Sequence, residues 1–323
     1  MFSSLFRRLK PFQSPADLVR PDETLAGFVW RASGVHQFYA GGIAILVALL
    51  GFVPIDLQRR IVDGAIENKD VEALLLLGLA YGAAILLQSG LKYVLQIYQG
   101  WVGESAVKAS RDQLAKVAAR QKAHDEASTG QIVNVIGREI DSVGGFVGTS
   151  ISEFIINLTL LLAVLSYMLA IQPVIALASA IFLIPQVFLA LYMQRELNDL
   201  VERQVTLVRK LGSDTVNRRE NGEFRTIRAI FGNRMQFNGL KFGLKSLLNI
   251  ANAMGPLMVL LVGGYLVING ETTIGTVVAF VSGFDRISSP LRDLLYFYRA
   301  YQQATVQHRL IVTWAAGDAK PRQ

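Results

Sequence analysis

Hydrophobic and polar positions along the chain separate into long blocks. Residues 154–194 contain no Asp, Glu, Lys, Arg or His. At about 1.5 Å per residue, one helix of that length would reach roughly 60 Å, twice the hydrocarbon thickness of a bilayer. Ile171-Gln172-Pro173 interrupts it near the middle, because proline strains a helix interior and disfavours helix in the residue before it. The pattern predicts a tight hairpin of two membrane helices. Further apolar blocks lie at 37–55, at 73–101 (broken only by Lys92), at 246–268 and at 274–297, the last two joined by an Asn269-Gly270-Glu271-Thr272 turn. The expected total is six spans.

Two long charged stretches, roughly 100–145 and 195–245, separate these blocks. Folded as helical hairpins, each would project roughly 30 Å beyond the bilayer. In the second, Leu197, Val201, Val208 and Leu211 share a helical face. That face is expected to break at Gly212-Ser213-Asp214 and again at Asn221-Gly222, leaving a short polar helix over 215–220 at the tip. In the first, Asp125-Glu-Ala-Ser-Thr-Gly130 predicts a turn, followed by an element over 131–141. The fold class predicted is all-α: a polytopic membrane protein with six transmembrane helices and two long cytoplasmic helical extensions. A tail over 1–21 precedes the body at 22–312, and a second tail covers 313–323. From Asp22, a candidate cap, Leu25, Phe28, Val29 and Ala32 fall on one face of a helix suited to the membrane surface.

Composition agrees, with 52% hydrophobic residues, 18% charged residues and a mean hydropathy of +0.37, a balance that soluble domains rarely show. With the amino terminus inside, the inner segments hold 26 Lys and Arg and the outer loops 3, which fixes the expected orientation: both termini cytoplasmic. The net charge of +7 is therefore read as retained inner lysine and arginine rather than a nucleic-acid surface. A secretory signal would need an apolar core directly after the basic Arg7, Arg8 and Lys10; prolines at 11, 15 and 21 follow instead. There are no cysteines, and His36, His124 and His308 have no metal-ligand spacing. No Gly-x-x-x-x-Gly-Lys-Ser/Thr phosphate loop, Gly-x-Gly-x-x-Gly turn, His-Glu-x-x-His site or Gly-x-Ser-x-Gly turn occurs. By itself the chain is not expected to hydrolyse ATP or to bind a cofactor.

Charges inside spans are the remaining candidates, since placing one in lipid costs about 3 kcal/mol. Gln88, Lys92, Gln96 and Gln99 recur at steps of four, four and three, a stripe that would face a cavity. Asp285, Ser289, Arg292, Tyr296 and Arg299 form another, and Glu153 with Asn157 a shorter one. Glu153 and Asp285 are the acids available to Lys92, whose alternative is to snorkel to the inner interface. Gly78 to Gly82 and Gly144 to Gly148 have the spacing that permits close helix approach.

At the excursions the chain resembles the transmembrane domain of exporter-type ATP-binding-cassette transporters. Asp125-Glu-Ala-Ser-Thr-Gly130 with Glu139 and Asp141 is similar to the family's first intracellular loop, although Glu139 stands where Asp is usual and Ala123-His124 replace an aromatic pair. Phe224-Arg-Thr-Ile-Arg-Ala-Ile-Phe-Gly232 resembles the segment after its second intracellular loop, with Glu223 in place of glycine. Residues 270–280, Ser289-Pro-Leu-Arg292 and Gln302-Gln-Ala304 resemble its sixth helix, and Pro54 with Asp63 the exit of its first.

The resemblance implies two six-helix halves, as a homo- or heterodimer, whose loop tips dock into ATPase domains that carry ATP and Mg. The coupling residues implied are Gly130, Asn134 and Arg138 in the first tip, and Ser213, Asp214, Asn217 and Arg218 in the second. Gln88, Lys92, Gln96, Glu153, Asn157, Asp285 and Arg292 are the cavity candidates. The expected function is the pore subunit of an exporter driven by an ATP-binding-cassette ATPase on another polypeptide, in the inner membrane of a bacterium. The alternative is a non-transporting membrane scaffold, or a remnant half-transporter without its ATPase domain.

Overall fold

The computed structural model describes residues 10–12, 18–20, 23–123, 135–216 and 220–316. Among these every regular element is helical: α1 (Leu25–Ser33), α2 (Val35–Arg60), π1 (Ile61–Ile66), α3 (Val71–Ala123), π2 (Val135–Glu139), α4 (Ile140–Gly145), π3 (Phe146–Ser150), α5 (Ile151–Ile171), α6 (Pro173–Val216), α7 (Glu220–Ile268) and α8 (Ile274–Ala315). The predicted break between two helices is present. Helix α5 stops at Ile171 and α6 starts on Pro173, where a missing N–H costs nothing because a first-turn donor has no intrahelical acceptor. The turn before α8 also forms where expected, with Gly270 at φ +73°.

Four helical stretches among the described residues are long and apolar enough to cross a membrane: Val35–Ile66, Val71–Arg120, Ile140–Ile171 and Phe224–Ile268. The blocks expected as fourth and sixth spans are helical but do not count among these four: in α6 the apolar stretch found among the described residues is Pro173–Gln186, and α8 carries Asp285, Arg286, Arg292 and Asp293 in its first half. Among the described residues the second excursion is less broken than the sequence suggested. Helix α6 runs through Gly212-Ser213-Asp214 to Val216, and α7 is already helical at Glu220, through Asn221-Gly222. An interior glycine costs a helix about 1 kcal/mol, and a long helix already nucleated on both sides absorbs that. The expected breaks, and a separate helix over 215–220, are therefore corrected. Residues 217–219 lie outside the described residues, as do 124–134, which hold the first predicted turn.

The chain divides into two compact units, Met1–Val164 with Ser289–Gln323, and Leu165–Ser288. In the first unit, α1 has the predicted buried face of Leu25, Phe28, Val29 and Ala32. Its cap is Thr24, whose hydroxyl accepts the Gly27 N–H at 3.2 Å; Asp22 lies outside the described residues. This face joins Val102, Ala106, Val107 and Leu114 of α3 and Ala304, Ile311 and Trp314 of α8 in one core. Upstream residues lie across α3. Trp101 Nε1 donates to the Lys10 carbonyl at 2.9 Å, and the Gln113 amide brackets Val19, accepting its N–H at 2.7 Å and donating to its carbonyl at 2.8 Å.

Against α3 the return of the first excursion packs backbone to backbone. A Cβ on Gly148 would lie 2.5 Å from the Gln99 carbonyl oxygen, and one on Gly103 would lie 2.9 Å from the Gly144 carbonyl oxygen. The Gly144 to Gly148 spacing thus has a partner, Gly103, that a single glycine on another helix does not advertise. Gly78 and Gly82 face open space.

His308 of α8 enters the α1 core 3% exposed, its ring 5.1 Å from that of Phe28. Burial pushes the imidazole below its usual value, and the Arg31 guanidinium pushes it the same way. The native state therefore takes up this proton less readily than the unfolded chain, so stability is lost as pH falls from about 6.5 toward the depressed native value. Thermal unfolding of the purified chain in detergent should show Tm dropping over that window. His308→Gln should flatten the slope; identical slopes in the two proteins would remove His308 as its cause.

In the second unit, α6 and α7 form a long antiparallel pair. Asn233 of α7 ties it to α6, its amide donating to the Leu200 carbonyl at 2.8 Å and to Gln204 Oε1 at 3.1 Å. A cleft of about 670 Å³ opens beside this pair, lined by Asp199, Glu202, Arg203, Gly232 and Gln236. Nearer the turn, the Phe284 ring fills the space over Gly255.

Candidate functional site

Charged side chains on three helices of the first unit approach one another. Glu153 on α5 lies within electrostatic reach of Lys92 on α3 and Asp293 on α8. Lys92 and Glu153 are both exposed, and among the described residues no ion pair closes between them. Asn157 donates its amide to the Glu153 carbonyl at 2.9 Å, so those two share a face as their spacing predicted. Ser289 donates to Asp293 Oδ2 at 3.5 Å. Beside the acids, the Phe154 and Phe297 rings meet at a tilt of 38° with centroids 4.6 Å apart, and Phe146 meets Phe297 at 5.9 Å. Apolar rings beside unclosed charges suit an amphipathic solute, since the rings supply area and the charges orientation.

The polar stripe of α3 divides by role. Gln88 packs over Gly51 of α2, its Nε2 2.6 Å from where a Cβ there would lie. Gln99 is buried and donates to Ser152 Oγ of α5 at 2.7 Å. These two amides fasten α3 to its neighbours, while Lys92 and Gln96 remain exposed. Arg292 is exposed on α8, and Asp285, also exposed, belongs to the second unit. Asp293 is the residue that sequence reasoning missed. It sits four positions after Ser289, but the stripe was traced through Arg292 instead.

Of the coupling residues, Gly130, Asn134, Asn217 and Arg218 lie outside the described residues. The backbone of Arg138 falls within π2, and those of Ser213 and Asp214 within the last turn of α6. Below the first tip, Arg111 of α3 reaches the returning chain. Its Nε donates to the Ile136 carbonyl at 3.0 Å, and its Nη2 donates to Asp141 Oδ1 at 2.6 Å and, at 3.5 Å, to the Gly137 carbonyl. Burial raises the Glu139 carboxyl above its usual range. Among the described residues no group of three His, Cys, Asp or Glu could hold a metal ion.

Four helical stretches long and apolar enough to cross a membrane define a polytopic membrane protein. The chain belongs to the family described as the ABC transporter transmembrane region, whose model matches residues 39–230. It is 23% identical over 286 residues to the "Putative multidrug export ATP-binding/permease protein YgaD" of Bacillus subtilis strain 168, covering 78% of this chain and 48% of that one. It is 22% identical over 287 residues to the similarly described protein SAB1799c of Staphylococcus aureus strain bovine RF122 / ET3-1, covering 80% and 47%. The chain spans about half the length of the curated relatives it matches.

Proposed function

We propose that this chain is the membrane-spanning half of an ABC-type exporter, crossing the inner membrane six times with both termini cytoplasmic. It pairs with a second six-helix half and moves its cargo by alternating access. The drive comes from ATP-binding-cassette ATPase domains on a partner polypeptide, which carry the ATP and Mg. One observation carries the reading: α3, α6 and α7 contain 53, 44 and 49 residues, where a bilayer needs about 20. Rods that long extend well beyond the lipid, and they give an ATPase something to push on. Closure of ATPase domains around ATP would then select between two arrangements of the bundle. The relatives' description offers drugs as candidate cargo, in keeping with the charged, ring-flanked face of α3, α5 and α8.

Copurification from native membranes tests this. An ATP-binding-cassette ATPase should accompany the tagged chain, and replacing residues 213–221 with a Gly-Ser run should release it and abolish ATP-dependent transport in proteoliposomes. Isolation without any ATPase would favour a scaffold, and transport by the chain alone without ATP would favour a carrier. Either result would overturn the reading.

A further inference from the structure

We infer that Arg111 is a positioning residue: its guanidinium holds the returning chain of the first excursion in its wide-turn register against α3 and makes the two strands of that excursion move as one body. The inference rests on the coupling role proposed above and assigns one residue to it. Where an α-helix changes to a π turn the hydrogen-bond register slips by one, and carbonyls near the junction fall out of line with their usual donors. Among the described residues the return opens with such a turn, π2, and passes into α4 at Ile140. Arg111 comes to this junction from the facing helix. It serves two backbone oxygens, of Ile136 and Gly137, and one carboxylate, of Asp141.

Only a planar fork with several fixed donors spans those acceptors together; an ammonium is a point charge on a flexible stem. The ion pair alone is not the source of the effect. Arg111 and Asp141 side chains are 39% and 54% exposed, and pairs that exposed contribute little. The backbone acceptors make the contact specific, because they report the register of the return rather than its charge. Nearer the membrane the same two strands are joined by the Gly103 contact with Gly144 and Gly148. Two separated attachments suppress the sliding and twisting that one would permit. With Arg111 in place, a push on the tip is delivered to α3; without it, the push is spent in unwinding π2.

The test uses Arg111→Lys, Arg111→Gln and Asp141→Asn in the full chain in lipid nanodiscs. Amide hydrogen exchange over 135–141 should rise about tenfold in both Arg111 variants and less in Asp141→Asn, which keeps the backbone acceptors. Exchange over 95–107 and the Tm should stay as in the parent. In the complex with the copurified ATPase, basal hydrolysis should persist while cargo moved per ATP falls several-fold in Arg111→Lys and Arg111→Gln. The inference is overturned if lysine protects the segment as well as arginine, if exchange rises along the whole chain, or if the segment loosens with no change in cargo per ATP. Should no ATPase copurify, the reading of the preceding subsection fails and the proposed transmission fails with it, while the exchange result still decides whether Arg111 holds the register.

Discussion

Gly148→Val is expected to leave little or no folded protein in detergent extracts. A side chain at 148 would begin 2.5 Å from the Gln99 carbonyl oxygen and 2.9 Å from the Gly103 Cα. Those are backbone atoms, so no rotamer change relieves the overlap. The helices would have to separate, and Gln99, which donates to Ser152 nearby, would lose its alignment. Inserting even one or two methyl groups into a well-packed contact costs about 1–3 kcal/mol, and valine against main chain falls at or above the top of that range. Gly144→Val meets Val107 Cγ2 at 2.0 Å, a side chain with somewhat more freedom, and should be damaging to a lesser degree. The comparison is Gly78→Val and Gly82→Val, which meet nothing within 4 Å and should leave stability of the isolated chain within about 0.5 kcal/mol of the parent. Size-exclusion profiles and thermal unfolding of the four variants check this. A normal monodisperse peak for Gly148→Val would show that the strands are not in backbone contact.

Glu153→Gln is expected to change function more than any other single neutralisation on the charged face. Glu153 is the group that senses both Lys92 and Asp293, so removing its charge leaves Lys92 without its nearby acid on α5. Between exposed groups such an imbalance is worth up to about 1 kcal/mol, or about fivefold in binding. With the ATPase-containing complex in proteoliposomes and a panel of cationic, anionic and neutral amphiphiles as probes, stimulation of hydrolysis should fall by about that factor for at least one charge class. Lys92→Gln should shift the preference in the opposite sense, and the double variant should lie closer to the parent than the sum of the two, because coupled neighbours are not additive. Unchanged stimulation across the panel in both single variants would take Lys92 and Glu153 out of the cargo path.

Much of the architecture was legible because it depends on local rules. The chain break at Pro173, the positive-φ Gly270 and the buried face of α1 each follow from a few adjacent residues. The breaks in the second excursion were expected because Gly212 and Gly222 look like stops when taken alone, whereas the flanking helices are long enough to carry them. The site was legible only in part. Spacing paired Glu153 with Asn157 on one helix, but bringing Lys92, Glu153 and Asp293 together takes three helices, and no periodicity along one element encodes that. Gln88 and Gln99 show the same limit: a polar stripe has one appearance in sequence, and packing decides which members fasten helices and which stay open. Arg111 gave no signal at all, since its acceptors are mainly carbonyls, which every residue possesses.

The segment lying across α3 bears on how the protein is made. Val19 and Gln113 are separated by 94 positions, and Lys10 and Trp101 by 91. At a synthesis rate of about 5–20 residues per second, roughly 5 to 20 seconds pass between emergence of the first member of each pair and the second. Completion of the α1 core waits longer still, for Ala304, Ile311 and Trp314 near the end of α8. Until then α3 and the return of the first excursion cover the apolar face of α1 only in part, and the lipid headgroup layer is the surface that can shelter the rest. The nascent chain would keep the open part of α1 on the bilayer and seal it into the bundle only after translation is nearly complete.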